Sequence, residues 1–209
     1  MIYGEHEFSL VSHDSLFVRG RKTMAIDPWE VDGKADIVLV THGHFDHCSE
    51  KDIKKLGALE VVSPESCKAG TKRVSEGDIV RIGEIEAAAV PAYNTNKFRS
   101  PGMPFHPRGF GVGYVVKLPD GVVFYHAGDT DFIPEMEGIS KIFGKVDIAF
   151  LPVSGTYVMT SEEAAEAARA INPEVAVPMH YGKIVGSRDD AEKFRKLLQG
   201  SGIRVEILI

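Results

Sequence analysis

The sequence predicts an α/β protein in which two sheets are covered by helices. Three features point there. The N-terminal half reads as a succession of short β-prone segments, and the C-terminal half alternates strands with helices. Several of the strands are continuous apolar runs, the pattern of strands buried on both faces.

In order, Leu16–Arg19 and Thr23–Ile26 are β-prone runs on either side of the Arg19-Gly20-Arg21 turn, and Asp36–Val40 is a nearly unbroken apolar strand. Ser49 reads as a helix N-cap with Asp52 three residues on, Ile53 and Leu56 facing inward and Gly57 as terminator. Leu59–Ser63, Ile79–Ile82 and Ile85–Val90 follow as strands, punctuated by Ser63-Pro64 and Glu76-Gly77. Val112–Leu118 and Val122–Tyr125 flank Asp120-Gly121, a two-residue hairpin signal. Beyond them come a strand at Val146–Leu151 and an Ala-rich helix. The helix opens on a Thr160/Glu163 capping box and stops near Ile171, before Asn172-Pro173. A strand at Val175–Met179, a helix at Asp189–Leu198 and a last strand at Ile203–Ile209 complete the pattern. The stretch Tyr93–Gly111 is aperiodic and rich in Pro and Gly; its Phe98 and Phe105 favour a packed lid over a disordered loop. No linker or fixed-period repeat interrupts the chain, so residues 1–209 read as one domain.

Composition narrows the function. The 209 residues are 44% hydrophobic and 26% charged, an ordinary globular balance that excludes collagen-like and low-complexity chains. A net charge of −6 argues against binding nucleic acid through bulk charge. No apolar run approaches the roughly 18–20 residues of a membrane helix. Met1–Leu10 lacks the basic-then-apolar pattern of a secretory signal, so a cytoplasmic protein without membrane attachment is expected. Two cysteines, Cys48 and Cys67, are too few for a disulfide framework and are expected to pack as small apolar residues, Cys48 abutting the motif described next.

The most informative segment is Thr41-His42-Gly43-His44-Phe45-Asp46-His47, directly after the Asp36–Val40 strand. Four potential metal ligands within six residues, at the C-terminal end of a strand, cannot all be core residues, because buried imidazoles and carboxylates need partners. Neutral imidazole and carboxylate suit zinc, iron or manganese. Gly43 lets the backbone turn tightly between the two histidines.

The His-x-His-x-Asp-His run after an apolar strand resembles the signature of the metallo-β-lactamase superfamily, whose fold is a four-layer αβ/βα sandwich. The resemblance spans nearly the whole chain. Ala25-Ile26-Asp27-Pro28 resembles an early strand end bearing an aspartate. Tyr125-His126-Ala127-Gly128-Asp129-Thr130 resembles the strand leading to a metal-bridging aspartate, and Val177-Pro178-Met179-His180-Tyr181-Gly182 the strand supplying the last metal histidine. The wording around Asp129 and His180 is closest to small hydrolases of the ascorbate-6-phosphate lactonase type and to metal-dependent hydrolases near them.

The resemblance implies His42 and His44 on a first metal, Asp46, His47 and His180 on a second, and Asp129 bridging. It implies two divalent ions, zinc foremost with manganese or iron as alternatives. One departure stands out: Asn94 occupies the position where a third histidine of the first site is expected. Either Asn94 serves there on a loosely held metal, or His106 folds in from the lid. His6 is expected at the surface and His13 near the site. His126 is expected to pack rather than ligate, and Asp27 to orient a ligand.

Such a site lowers the pKa of water from 15.7 to roughly 7. A metal-bound hydroxide would then hydrolyse a small ester, lactone or phosphodiester without a serine or cysteine nucleophile. Asp46 is read as a ligand that also accepts a hydrogen bond from the hydroxide. Lys97, Arg99 and Arg108 in the lid, with Lys183 and Arg188 after His180, suggest a positive rim and an anionic substrate. Tyr157 would shape the mouth of the pocket, with Ser154 and Thr156 as donors. The rival readings are a non-catalytic metal-binding module, a phosphodiesterase or nuclease acting on nucleic acid, and a flavo-diiron type oxidoreductase. Histidine at position 44 and the absence of a flavodoxin-like segment weigh against the last. The assembly state, including a homo-oligomer, is left open.

Overall fold

The computed structural model describes residues 1–209. Strands β1 (Ile2–Tyr3), β2 (His6–Ser12), β3 (Ser15–Arg19), β4 (Thr23–Ile26), β5 (Ile37–Leu39), β6 (Glu60–Ser63) and β7 (Lys72–Arg73) form one sheet in chain order. It is antiparallel from β1 to β4 and parallel from β4 to β7. Strands β8 (Ile79–Ile82) and β9 (Ile85–Ala92) begin a second sheet. A separate hairpin, β10 (Phe98–Ser100) and β11 (Met103–Pro104), follows. The second sheet continues with β12 (Gly111–Lys117), β13 (Val123–His126), β14 (Ile148–Pro152), β15 (Val175–Met179) and β16 (Arg204–Val205), parallel from β13 onward. Helices α1 (Glu50–Leu56), α2 (Ser140–Phe143), α3 (Ser161–Ile171) and α4 (Arg188–Leu197) complete the chain.

The period of two along each strand explains the layers. In the first sheet Leu16, Val18, Met24, Ile26, Ile37 and Leu39 join the large core shared with the second sheet. Their neighbours Phe17, Ala25, Val38 and Val61 face the other way, into a smaller core under Ile53 and Leu56 of α1. The unbroken apolar run at β5 is therefore covered on both faces. Across the molecule Ala164, Ala165, Ala168 and Ile171 of α3 and Ala191 and Phe194 of α4 join the large core on the second sheet's side. The result is the expected αβ/βα sandwich. Helix α1 is capped by Ser49 and ended by left-handed Gly57, and α3 opens on the Thr160/Glu163 box, both as the residue types predict.

The sequence reading departs from the structure in several places. The final strand is only Arg204–Val205, which pairs with Val175 and Ala176 alone at the sheet edge. Ile207, Leu208 and Ile209 are apolar because they pack against the core, and Tyr181 donates its hydroxyl to the Ile209 carbonyl at 2.7 Å. Strand β2 was not foreseen because its inward face mixes polar His6 and Ser12 with Phe8 and Leu10. His6 is correspondingly buried, its Nε2 3.1 Å from an Asp120 carboxylate oxygen, rather than lying at the surface. Cys48 and Cys67 form a disulfide, with Cα atoms 5.8 Å apart, instead of packing as free thiols. Only folding brings the entry to α1 against the turn after β6. No helix is long and apolar enough to cross a membrane.

The parallel halves of both sheets run their C-terminal ends to one edge. There lie Asp27 after β4, Thr41–His47 after β5, Asp129 after β13, Ser154 after β14 and His180 after β15. In α/β sheets this is the edge where ligands bind.

Candidate metal centre

Four histidines arrive at this edge with their ring tautomers set by the surrounding network. Thr41 Oγ1 donates to Asp27 Oδ2 at 2.6 Å, so it accepts from His42 Nδ1, 3.1 Å away. The Asp27 carboxylate, which can only accept, takes a hydrogen bond from His47 Nδ1 at 2.8 Å. Asn94 Oδ1 accepts from His106 Nδ1 at 3.0 Å and from the His106 backbone N–H at 2.8 Å, while its amide nitrogen donates to Tyr157 O and Asp131. Ser154 Oγ donates to Thr156 O at 3.3 Å and so accepts from His180 Nδ1 at 3.0 Å. In its neutral form each ring would therefore present the lone pair of Nε2.

All four lone pairs converge on Asp129. Its Oδ2 lies 3.9 Å from His42 Nε2, 3.2 Å from His106 Nε2 and 3.3 Å from His180 Nε2, and its Oδ1 lies 3.4 Å from His47 Nε2. Lone pairs facing a carboxylate repel unless a proton or a cation lies between them. His44 adds a further nitrogen: its Nδ1 is 3.0 Å from His42 Nε2 and 3.1 Å from His106 Nε2. Buried atoms without any hydrogen-bond partner include both nitrogens of His13, both carboxylate oxygens of Asp14, His47 Nε2 and Asp129 Oδ1. So many unpaired donors and acceptors in one place are a poor protein interior and a good ligand shell. The residues fit divalent cations.

Three groups of potential ligands have all their donor atoms within 4.8 Å of one another: His42, His44, His106 and Asp129; Asp14, His47, Asp129 and His180; and His13, Asp46 and His180. Every histidine and aspartate singled out as a ligand in the sequence is thus brought together, with Asp129 common to the first two groups. His106, not Asn94, joins the cluster; the Asn94 carbonyl is engaged in holding the His106 ring. His126 stays outside, its Nε2 donating to the Asp14 carbonyl at 3.1 Å. Asp27 orients His47 and Thr41, as expected. Asp14 escaped the sequence reading because it carries no spacing signal.

The backbone at this edge is bent to serve the site. His13, Asp27, Tyr157 and His180 adopt positive φ (42°, 48°, 70° and 60°), costly for non-glycine residues and concentrated around the cluster. Gly43 is required for space: a Cβ there would come 2.2 Å from the Ser66 carbonyl oxygen.

Electrostatics divide the cluster in two. Burial lowers the pKa of His42 well below its ordinary value and that of His44 to about 4, so these rings are neutral donors. Burial works the same way on His47 and His180, but carboxylates led by Asp129 outweigh it, raising His47 well above its usual value and His180 to about 9. Burial raises the Asp14 carboxyl to about 8.

A cavity of about 350 Å³ opens onto the cluster, with His13, Asp46, Asp129 and His180 on its floor and Phe105 and Tyr157 among its walls. A cavity of about 450 Å³ elsewhere, around His6, Arg21 and Lys22, contains none of the ligand groups. The expected positive rim is largely neutralised. Lys97 pairs with Glu163 (2.8 Å) and Asp131 (3.4 Å), and Arg108 with Glu135 (2.9 Å) and Glu76 (3.3 Å). Lys183 pairs with Glu30 (2.7 Å) and Arg188 with Glu192 (3.5 Å). Arg99 alone among them has no carboxylate partner; it lines the cavity, over the Phe105 ring at 5.4 Å, with Nη2 3.5 Å from His44 Nε2.

Comparison with known proteins agrees with this architecture. Residues 10–180 match the family model of the β-lactamase superfamily domain. A UPF0173 metal-dependent hydrolase of Methanopyrus kandleri is 35% identical over 202 residues, covering 92% of this chain and 86% of that protein. The crystal structure of a Parabacteroides distasonis protein superposes with a TM-score of 0.83 at 33% identity, covering 97% of this chain and 92% of the other. Igni18, a metallo hydrolase of Ignicoccus hospitalis, does so with a TM-score of 0.78 at 25% identity, covering 97% and 94%. With its fold, its converging imidazoles and these relatives taken together, the chain belongs to the β-lactamase superfamily and is a metal-dependent hydrolase.

Proposed function

We infer that the protein acts as a single domain holding two divalent cations and hydrolyses a small anionic ester, lactone or phosphodiester. The observation that carries this reading is the convergence of four tautomerically fixed Nε2 lone pairs on the two oxygens of Asp129. In it His42, His44 and His106 would hold the first ion and Asp46, His47 and His180 the second, with Asp129 available to both. Zinc suits the imidazole-rich first position. Cations bound in such a site act as Lewis acids and bring the pKa of water close to 7.

The remaining work falls to the protein's own groups. Asp27, Asn94, Thr41 and Ser154 hold the rings of His47, His106, His42 and His180 through Nδ1, so that no reorganisation is needed when substrate arrives. Asp46 borders the cavity with His13, its Oδ2 3.7 Å from His13 Nε2, and accepts a hydrogen bond from the attacking water. Arg99 binds the anionic group of the substrate, its charge not spent on a neighbouring carboxylate. Phe45, Phe105, Tyr157 and Ile184 give the substrate an apolar flank.

The test is substitution of Asp129 or His180 by alanine, followed by metal analysis and a screen of lactones, phosphodiesters and acyl esters with added zinc or manganese. Loss of both metal retention and turnover is expected. Undiminished turnover in either variant refutes the site.

A further inference from the structure

We propose that Asp14, which belongs to no sequence motif, is an additional ligand of the second cation and makes that position richer in oxygen donors than the first. This role rests on the reading of the cluster as a metal centre.

Asp14 sits in the tight turn between β2 and β3 and is 0% exposed. The turn is tied to the second sheet on both sides. The Asp14 carbonyl accepts from His126 Nε2 at 3.1 Å, and the His13 carbonyl from the His180 N–H at 3.4 Å. Its carboxylate therefore cannot swing to solvent. Neither oxygen has a hydrogen-bond partner. Oδ2 is 3.5 Å from His47 Nε2, itself an unpaired atom, and Asp14 shares one ligand group with His47, Asp129 and His180.

The contrast with Asp27, equally buried, is instructive. Asp27 accepts from the Thr41 N–H at 2.7 Å, the Thr41 hydroxyl at 2.6 Å and His47 Nδ1 at 2.8 Å. That carboxylate is fully occupied in holding other groups. Asp14 is the same chemical group in an equally buried place with no such donors, and a buried carboxylate is tolerated when a cation or a proton neutralises it. Asp46 lines the cavity and Asp14 does not, so the two carboxylates reach the second position from different sides.

The donor sets then differ. The first position has three imidazoles and the Asp129 carboxylate. The second has two imidazoles with Asp14, Asp129 and Asp46. Oxygen-rich sets suit manganese better than imidazole-rich ones do. Zinc's advantage over manganese is accordingly smaller at the second position.

The experiment compares full-length wild type with Asp14→Asn and Asp14→Ser after chelator treatment, titrating zinc and manganese separately by calorimetry and recording melting with and without each ion. Wild type should take up two ions. Both variants should keep the first affinity but bind the second ion at least about 100-fold more weakly, beyond the 10–100-fold typical of losing an outer hydrogen-bond partner. The loss should be larger for manganese than for zinc. Without ions the Asp14→Asn variant should melt no lower than wild type, since neither carboxyl oxygen makes a hydrogen bond that the substitution could remove, yet gain less on adding manganese. Unchanged second-ion affinity overturns the role of Asp14 while leaving the metal centre intact. An ion-free variant that melts well below wild type, or fails to fold, also overturns it, because the carboxylate would then be serving the fold. Wild type binding no ion overturns both Asp14 and the centre itself.

Discussion

Asn94 is the residue whose removal most directly tests how the site is held. Its carbonyl oxygen accepts the His106 backbone N–H at 2.8 Å and the His106 ring at 3.0 Å, and its amide donates to Tyr157 O at 2.8 Å and Asp131 Oδ1 at 3.2 Å. Asn94→Ala deletes four hydrogen bonds at once, three of them buried. At a net value of roughly 1 kcal/mol each, less some relaxation, the loss is about 3 kcal/mol. For a chain of this size that lowers Tm by about 6–12 °C. The ring of His106 also loses its tether, so affinity for the first ion should fall about 10–100-fold. Asn94→Asp keeps the acceptor and should retain most of the metal affinity while still losing stability through the missing amide donor. Thermal melts paired with metal titration read both effects. An Asn94→Ala protein that binds the first ion as tightly as wild type would falsify the claim that Asn94 orients His106.

Three further perturbations address other parts of the structure. Arg99→Gln should raise KM for carboxylate- or phosphate-bearing substrates at least about 10-fold, in line with loss of a charge-assisted contact. It should leave a neutral ester of the same size nearly unchanged; equal effects on both substrates, measured by steady-state kinetics, would dismiss Arg99 as the anion contact. Replacing Cys48 and Cys67 together by serine opens a bond between residues 19 apart and should cost about 3 kcal/mol, seen as a lower midpoint in urea. A wild-type midpoint indifferent to reductant argues against the bond. Gly43→Ala forces a Cβ against the Ser66 carbonyl, 2.2 Å away, so the ligand loop or the neighbouring turn must shift. A loss of about 1–3 kcal/mol is expected, together with weaker binding at His42 and His44; a variant with wild-type stability and metal content would show that the loop has slack.

Much of the site is legible before folding is considered. Thr41–His47, Asp129 and His180 each stand just beyond an apolar strand, and a strand's end is a local property that composition and punctuation reveal. The capped helices are local too, since a cap is decided within four residues. Short or edge elements such as α2 and β16 were missed or overextended, and β2 was missed because its inward face carries polar His6 and Ser12. Their burial depends on partners far along the chain, and His6 facing Asp120 is such a case.

From its order of residues alone this chain specified a two-sheet sandwich and a set of imidazoles and carboxylates at one edge of it, because periodicity and strand punctuation are written locally. Tertiary structure alone decided which of Asn94 and His106 reaches the cluster, that Asp14 lies beneath it without a partner, that Cys48 meets Cys67, and that Arg99 remains free of carboxylates when its neighbouring cations do not. The physical reason is common to all four. Pairing and burial are settled by groups contributed from other segments, and proximity in space between residues as far apart as Asp14 and His180 has no trace in local pattern.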